Sequence, residues 1–183
     1  MGAIAVHEFI TLDGVFESPS WTAEYGFDPK MGEAIGALTN DAEAILLGRV
    51  TFEMFAPAWS TRTVADDPGA PFFNDTKKYV VGSKEPSVTW NNSTHLGPYD
   101  ADAIRRLKDE TKGNIYISGS GTLVRALLRD GLVDGLHFFV YPLALGSGEK
   151  FWDSDADPTK LKLIAHDTYD NGVVHLGYGP ADG

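Results

Sequence analysis

The stretch from Asn114 to Leu128, Asn-Ile-Tyr-Ile-Ser-Gly-Ser-Gly-Thr-Leu-Val-Arg-Ala-Leu-Leu, constrains this chain more than any other. Ile115, Tyr116 and Ile117 form a short β-favouring apolar run, the pattern of a strand buried on both faces. Small residues follow at once: Ser118, Gly119, Ser120 and Gly121. Leu123, Val124, Leu127 and Leu128 then recur along one helical face. Gly131 is placed to cap the end of that helix. A strand running through glycines into a helix start presents first-turn N–H groups without intrahelical partners, at the positive end of the helix dipole. Glycine also lets a second backbone or a phosphate approach closely. The junction is a candidate anion site, and equally a tight turn with no ligand.

A second junction favours the ligand. Ala44-Ile-Leu-Leu47 reads as a buried strand that enters Gly48-Arg-Val-Thr-Phe-Glu-Met-Phe55 directly. Arg49 can pair a phosphate in two-pronged fashion, and Thr51 can donate its hydroxyl. A third strand, Lys78-Tyr-Val-Val81, ends in Gly82-Ser83-Lys84. In an open parallel sheet, ligands bind beyond the carboxyl ends of the strands, where all three motifs fall. An extended ligand with several phosphates, such as a dinucleotide, would use all three.

The remaining elements follow from periodicity and turn chemistry. Residues 3–10 read as a first strand, turned by Asp13-Gly14. Phe16, Pro19, Trp21, Tyr25 and Phe27 lie in an irregular aromatic segment expected to cover a ligand or a core edge. Residues 29–40 read as a helix with Met31, Ala34, Ile35 and Leu38 on one face. Residues 57–77 are expected to be a loop anchored by Trp59, Phe72 and Phe73. Residues 85–99 are irregular, with a short strand near 88–90 or 94–96. A helix over 101–111 and a strand over 135–141 follow, then a glycine loop from Leu143 to Glu149. Strands at 161–169 and 173–178 are joined by Asn171-Gly172, a strong hairpin signal. Repeated βα units followed by a hairpin predict an α/β sheet, mostly parallel, with an antiparallel C-terminal edge. At 183 residues the expectation is a single domain spanning 1–183.

Charge and composition narrow the partners. A formal net charge of −11 argues against nucleic acid and against anionic membranes. No apolar run approaches the roughly 18 residues of a membrane span. The N-terminal sequence lacks a basic region, so a cytoplasmic protein without a signal peptide is expected. The absence of cysteine excludes disulfides and thiolate metal sites. His7, His95, His137, His166 and His175 show no metal-ligand spacing, and His7 and His137 read as structural strand residues. Asp153-Ser-Asp-Ala-Asp157 lacks the glycine and distal glutamate of a calcium loop and reads as a solvated turn. No metal is expected. No Walker lysine follows the glycines, and no Gly-x-Ser-x-Gly elbow is present.

Thr11-Leu-Asp-Gly14, Ala44 to Glu53, Lys78 to Ser83, Ile115 to Leu123 and Pro142 to Gly148 stand in an order and spacing that resemble the dihydrofolate reductase-like superfamily. The similar branch is that of the C-terminal reductase domain of the bifunctional riboflavin biosynthesis protein. The resemblance implies a three-layer dihydrofolate reductase-like fold, NADPH as cofactor, a small-molecule substrate and a homodimer. By it, Gly48, Arg49 and Thr51 hold cofactor phosphate, and Ser83 and Lys84 lie near the adenosine ribose and its 2′-phosphate. Ser118, Gly119, Ser120, Gly121, Thr122 and Leu123 take the pyrophosphate, and Phe16 borders the nicotinamide.

The implied activity is hydride transfer to a small heterocyclic substrate, as in 5-amino-6-(5-phosphoribosylamino)uracil reductase or dihydrofolate reductase. The chain departs from both patterns. No acidic residue stands at the pteridine-binding spacing before Gly48, and residues 35–44 contain no arginine to hold a ribose phosphate. These departures leave a second reading, a non-catalytic nucleotide- or metabolite-binding module. For a reductase, Trp21, Phe27, Met31, Phe52, Phe55 and Tyr141 are expected to line the substrate pocket with Phe16. Asp13, Glu33 or water would donate the proton.

Overall fold

The computed structural model describes residues 1–152, 154 and 157–181. The first strand, β1 (Ile4–Thr11), ends at the Asp13-Gly14 turn, where Gly14 takes a φ of 86°. A short 3-10 helix (Pro19–Tyr25) leads to α1 (Pro29–Asn40). Asp28 caps α1 by accepting from the Lys30 amide at 2.8 Å, with Pro29 pre-set for the first turn. Strand β2 (Ala42–Gly48) runs without a break into α2 (Arg49–Trp59). Then come α3 (Ala70–Asp75), β3 (Lys77–Val81), β4 (Ser93–Gly97) and α4 (Ala101–Glu110). Next are β5 (Asn114–Ile117), α5 (Gly121–Arg129) and β6 (Gly135–Tyr141). The chain closes with β7 (Leu161–Thr168) and β8 (Val174–Pro180).

Among the described residues these strands form one eight-stranded sheet in the order β4-β3-β2-β5-β1-β6-β8-β7. The pairings from β4 to β6 are parallel. β8 and β7 are antiparallel, as the hairpin signal predicts. At the hairpin, Gly172 has a φ of 86° and its amide donates to Tyr169 O at 2.9 Å.

Alternation along the strands divides the core into layers. On one face Ile4, Val6, Ile115 and Ile117 pack against Ile104 and Leu107 of α4 and Leu123, Val124 and Leu127 of α5. On the other, Ile45, Leu47 and Tyr116 meet Phe52 and Ala56 of α2, while Phe139 and Tyr141 meet Met31 of α1. Helix α5 ends in a Schellman cap: Gly131 adopts a φ of 65°, and the amides of Gly131 and Leu132 donate to Leu128 O and Leu127 O.

Two boundaries differ from the sequence expectation. The segment 57–77 is not all loop. Helix α2 continues through Pro57 to Trp59, and α3 begins with Pro71 in its first turn, a position that needs no amide donor. Phe72 and Phe73 of α3 pack edge-on against Tyr116, with ring centroids 5.5 and 6.2 Å away. Of the two places considered for a strand within 85–99, the second holds β4. The Lys78 ammonium donates to the carbonyls of Phe73, Asn74 and Thr76 at 2.7, 3.2 and 2.8 Å. It places a cation at the C-terminal end of α3, where the helix dipole favours one.

No helix among the described residues is long and apolar enough to cross a membrane. Asp153 and Asp155, expected in a solvated turn, lie outside the described residues.

Candidate active site

Because β1, β2, β3 and β5 are parallel, their carboxyl ends share one edge of the sheet. A cleft of about 750 Å³ opens there. Its walls include Gly48, Arg49, Val50 and Thr51 from the β2–α2 junction and Ser118 to Leu123 from the β5–α5 junction. Phe16 closes one side. Gly82, after β3, also reaches the cleft, whereas Ser83 and Lys84 stand exposed just beyond it.

The two junctions touch. A Cβ on Gly48 would collide with Ser120 Oγ, and one on Gly119 would lie 3.2 Å from Thr51 Oγ1. Gly119 also needs glycine's freedom, with a φ of 73°. The helix starts differ in their capping. Ser120 accepts from the Leu123 amide at 3.4 Å, but Gly48 offers α2 no side-chain cap. The first-turn N–H groups of α2 therefore keep the donor capacity and dipole of an open helix start. Arg49 beside them pairs with Glu53 at 2.6 Å, and Glu53 is itself held by the Ser87 amide and hydroxyl at 2.8 and 2.9 Å. That pairing fixes the guanidinium while leaving further N–H donors of its fork for a second anion.

Beside the junctions the cleft is apolar. Phe9, Phe16, Pro19, Val50, Met54 and Phe55 line it, and Val50 and Met54 each leave 56% of their surface open. Of the aromatic residues expected around a substrate, Phe16 and Phe55 lie here. The others do not. Trp21 and Tyr141 pack together 5.2 Å apart in the core, where the Tyr141 hydroxyl donates to Met31 Sδ at 3.9 Å. Phe52 is buried against Trp90 under α2, 5.8 Å between centroids. Phe27 is 67% exposed beside Gly32. Aromatic content alone does not say which face of a helix or sheet a ring occupies.

The two expected proton donors also lie outside the cleft. Glu33 is exposed on α1. Asp13 ties down the glycine loop after β6: it accepts from Thr11 Oγ1 at 2.6 Å, Leu145 N at 3.1 Å and Gly146 N at 2.8 Å. These bonds, the Thr11 hydroxyl first, hold its carboxyl down at about 2, too acidic to keep a proton near neutrality.

Glu8 was not among the expected site residues. It lies in β1, lines the cleft and is only 6% exposed. Its Oε1 accepts from the buried Gly119 amide at 2.9 Å. Burial pushes its carboxyl up to about 8, against the opposing pull of that amide. The available signal was a carboxylate inside an apolar strand, Ala-Ile-Ala-Val-His-Glu-Phe-Ile. Its neighbour His7 points to the other sheet face, where its Nδ1 meets the Tyr116 hydroxyl at 2.6 Å. Burial, with His137 and His175 nearby, lowers His7 to about 3 and keeps it neutral. Among the described residues no group of His, Cys, Asp and Glu is arranged to hold a metal ion.

The model of the RibD C-terminal domain matches residues 3–175. This chain belongs to the RibD C-terminal domain family. Uncharacterised protein YyaP of Bacillus subtilis is 24% identical over 175 residues, covering 92% of this chain and 90% of YyaP. The crystal structure of a protein assigned to riboflavin biosynthesis from Shewanella sp. PV-4 superposes with a TM-score of 0.80 at 16% identity, over 98% of this chain and 99% of that one. Dihydrofolate reductase from Enterococcus faecalis, in complex with NADP(H), superposes with a TM-score of 0.63 at 16% identity, over 99% and 98%. The RibD C-terminal fold is thus a dihydrofolate reductase-like three-layer fold. In this member its cleft joins two glycine-flanked helix starts to an apolar compartment with a buried carboxyl.

Proposed function

We propose that this RibD C-terminal-type domain is an NADPH-dependent reductase of a small heterocyclic substrate. The observation that carries the reading is the union, in one cleft, of the β2–α2 and β5–α5 junctions with an apolar compartment. The uncapped start of α2, with Arg49 and Thr51 in its first turn, fits a phosphate group. With the Gly119 amide held by Glu8 and the Leu123 amide by Ser120, Gly121 and Thr122 are the first-turn residues of α5 that would meet a second phosphate. Ser83 and Lys84, exposed just beyond the cleft, would meet the adenosine end. Phe16 supplies an aromatic wall for a nicotinamide. The Enterococcus faecalis reductase, on the same fold, binds NADP(H).

When bound, NADPH supplies the hydride. The protein's contribution is orientation and exclusion of water. Phe9, Phe16, Met54 and Phe55 give the compartment its apolar wall. The rim carries charges of both signs, Glu17 and Glu149 beside Arg129, and Glu149 pairs with Arg125 at 3.7 Å.

The test follows NADPH oxidation at fixed protein against a panel of cyclic imines and heterocyclic ketones. Turnover with at least one compound supports the reductase. Saturable NADPH binding with no turnover across the panel supports a binding module instead, and failure to bind NADPH removes the reductase and any module built on that cofactor.

A further inference from the structure

The cleft contains several titratable side chains, and all but one are at its rim or already paired. Arg49 is bonded to Glu53, and the Tyr99 hydroxyl donates to Asp130 at 2.6 Å. Glu17, Arg129 and Glu149 are exposed. Glu8 alone is buried, and it lies where the apolar compartment meets the β5–α5 junction. A carboxylate in so apolar a place is costly unless paired with a cation, and no cation bonds to it among the described residues.

We infer that Glu8 is the proton donor of this site, and that the substrate is an uncharged heterocycle whose polarised C=N or C=O bond is reduced. The inference rests on the reductase reading above. Its chemistry balances as follows for an imine. The C=N carbon gains a hydride from a reduced nicotinamide, which is oxidised by the same two electrons that reduce the substrate. The nitrogen gains the Glu8 proton, so an O–H bond breaks and an N–H bond forms. The Glu8 carboxylate recovers its proton from water after product leaves. For a ketone the oxygen takes the proton. The burial that raises the Glu8 carboxyl to about 8 keeps it protonated at neutrality. The competing role is purely structural, with Glu8 serving only to hold the Gly119 amide. A glutamine at position 8 separates the two roles, because its amide oxygen can still accept from Gly119 while it has no acidic proton to give.

The experiment compares wild type with Glu8→Gln, using NADPH, the cyclic imine dihydroisoquinoline and the heterocyclic ketone isatin. We expect NADPH affinity to be unchanged and the turnover rate to fall about a hundredfold or more. With isatin, which gains no proton of its own in this range, wild-type turnover should decline as pH rises through Glu8's titration, and the residual rate of the variant should not. Carbon-13 NMR of wild type with carboxyl-labelled glutamate, which needs no variant, should show one carboxyl titrating near pH 8. Wild-type turnover in Glu8→Gln, or every glutamate titrating in the ordinary carboxylate range, overturns the Glu8 assignment and leaves the reductase standing. NADPH binding without reduction of either probe overturns the substrate class. A wild-type protein that binds no NADPH overturns the reductase reading and this inference with it.

Discussion

Glu8 and Gly119, 111 positions apart in the chain, are joined by a 2.9 Å hydrogen bond from the Gly119 amide to the Glu8 carboxyl. The bond links the middle of β1 to the loop that leaves its neighbour β5. It therefore couples one titratable group to the shape of the cleft floor, and that coupling has a measurable pH signature. Burial raises the Glu8 pKa from 4.5 to about 8, so between these values the folded chain holds a proton that the unfolded chain releases. The resulting contribution to stability is complete below about pH 4.5 and is lost as pH rises through about 8. Urea unfolding across this range should show the stability difference, wild type minus Glu8→Gln, decreasing steadily with pH. A difference independent of pH would contradict a raised Glu8.

Tyr116→Phe should destabilise the fold by about 1–3 kcal/mol, because it strips a buried ring of its partner. His7 Nδ1 bonds the Tyr116 hydroxyl, and His7 Nε2 has no hydrogen-bond partner among the described residues. The variant leaves His7 with neither nitrogen bonded. Denaturant unfolding at neutral pH measures the loss, and an unchanged midpoint would remove the bond from the account.

Lys78→Met should cost about 3 kcal/mol, since a buried ammonium bonded to carbonyls is replaced by a thioether that cannot donate. The three carbonyls it leaves, on Phe73, Asn74 and Thr76, lie at the end of α3. The ammonium also sits 4.6 Å from the Trp90 ring centroid, so tryptophan fluorescence should report the same transition. Thermal unfolding followed by circular dichroism gives the magnitude. A melting temperature within error of wild type would contradict it.

Gly48→Ala should push Ser120 aside, because the new Cβ would collide with Ser120 Oγ. We expect NADPH affinity to fall about tenfold, or about 1.4 kcal/mol. Adding Ser120→Gly should restore much of the loss, since it clears the contact. Strictly additive losses in a double-mutant cycle would show that the two junctions act separately.

The parts of this molecule legible in its sequence are the local ones. Strand, glycine and helix follow one another within a few residues at Gly48 and at Gly119, so both junctions could be placed on the cleft without knowing the sheet order. The hairpin at Asn171-Gly172 is legible for the same reason. What escaped depends on distant packing. Trp21, Met31, Phe52 and Tyr141 look like pocket residues by type, but the layers of the fold turn them into the core. Pro71 looked like a loop residue because proline starts helices as well as preventing them. Glu8 could not be recognised as a cleft residue until β1 and β5 were known to be neighbours, since its burial and its Gly119 partner both come from that pairing.

NADPH binding in the cleft beyond β2 and β5 is the proposal on which the Glu8 chemistry depends. It is tested most directly by titrating the protein with NADPH while recording the fluorescence of its four tryptophans. NADPH held in this cleft should give a saturable change with a sub-millimolar midpoint, weakened in Gly48→Ala. No saturable change in wild type up to millimolar NADPH, or a midpoint that the substitution leaves untouched, would contradict it.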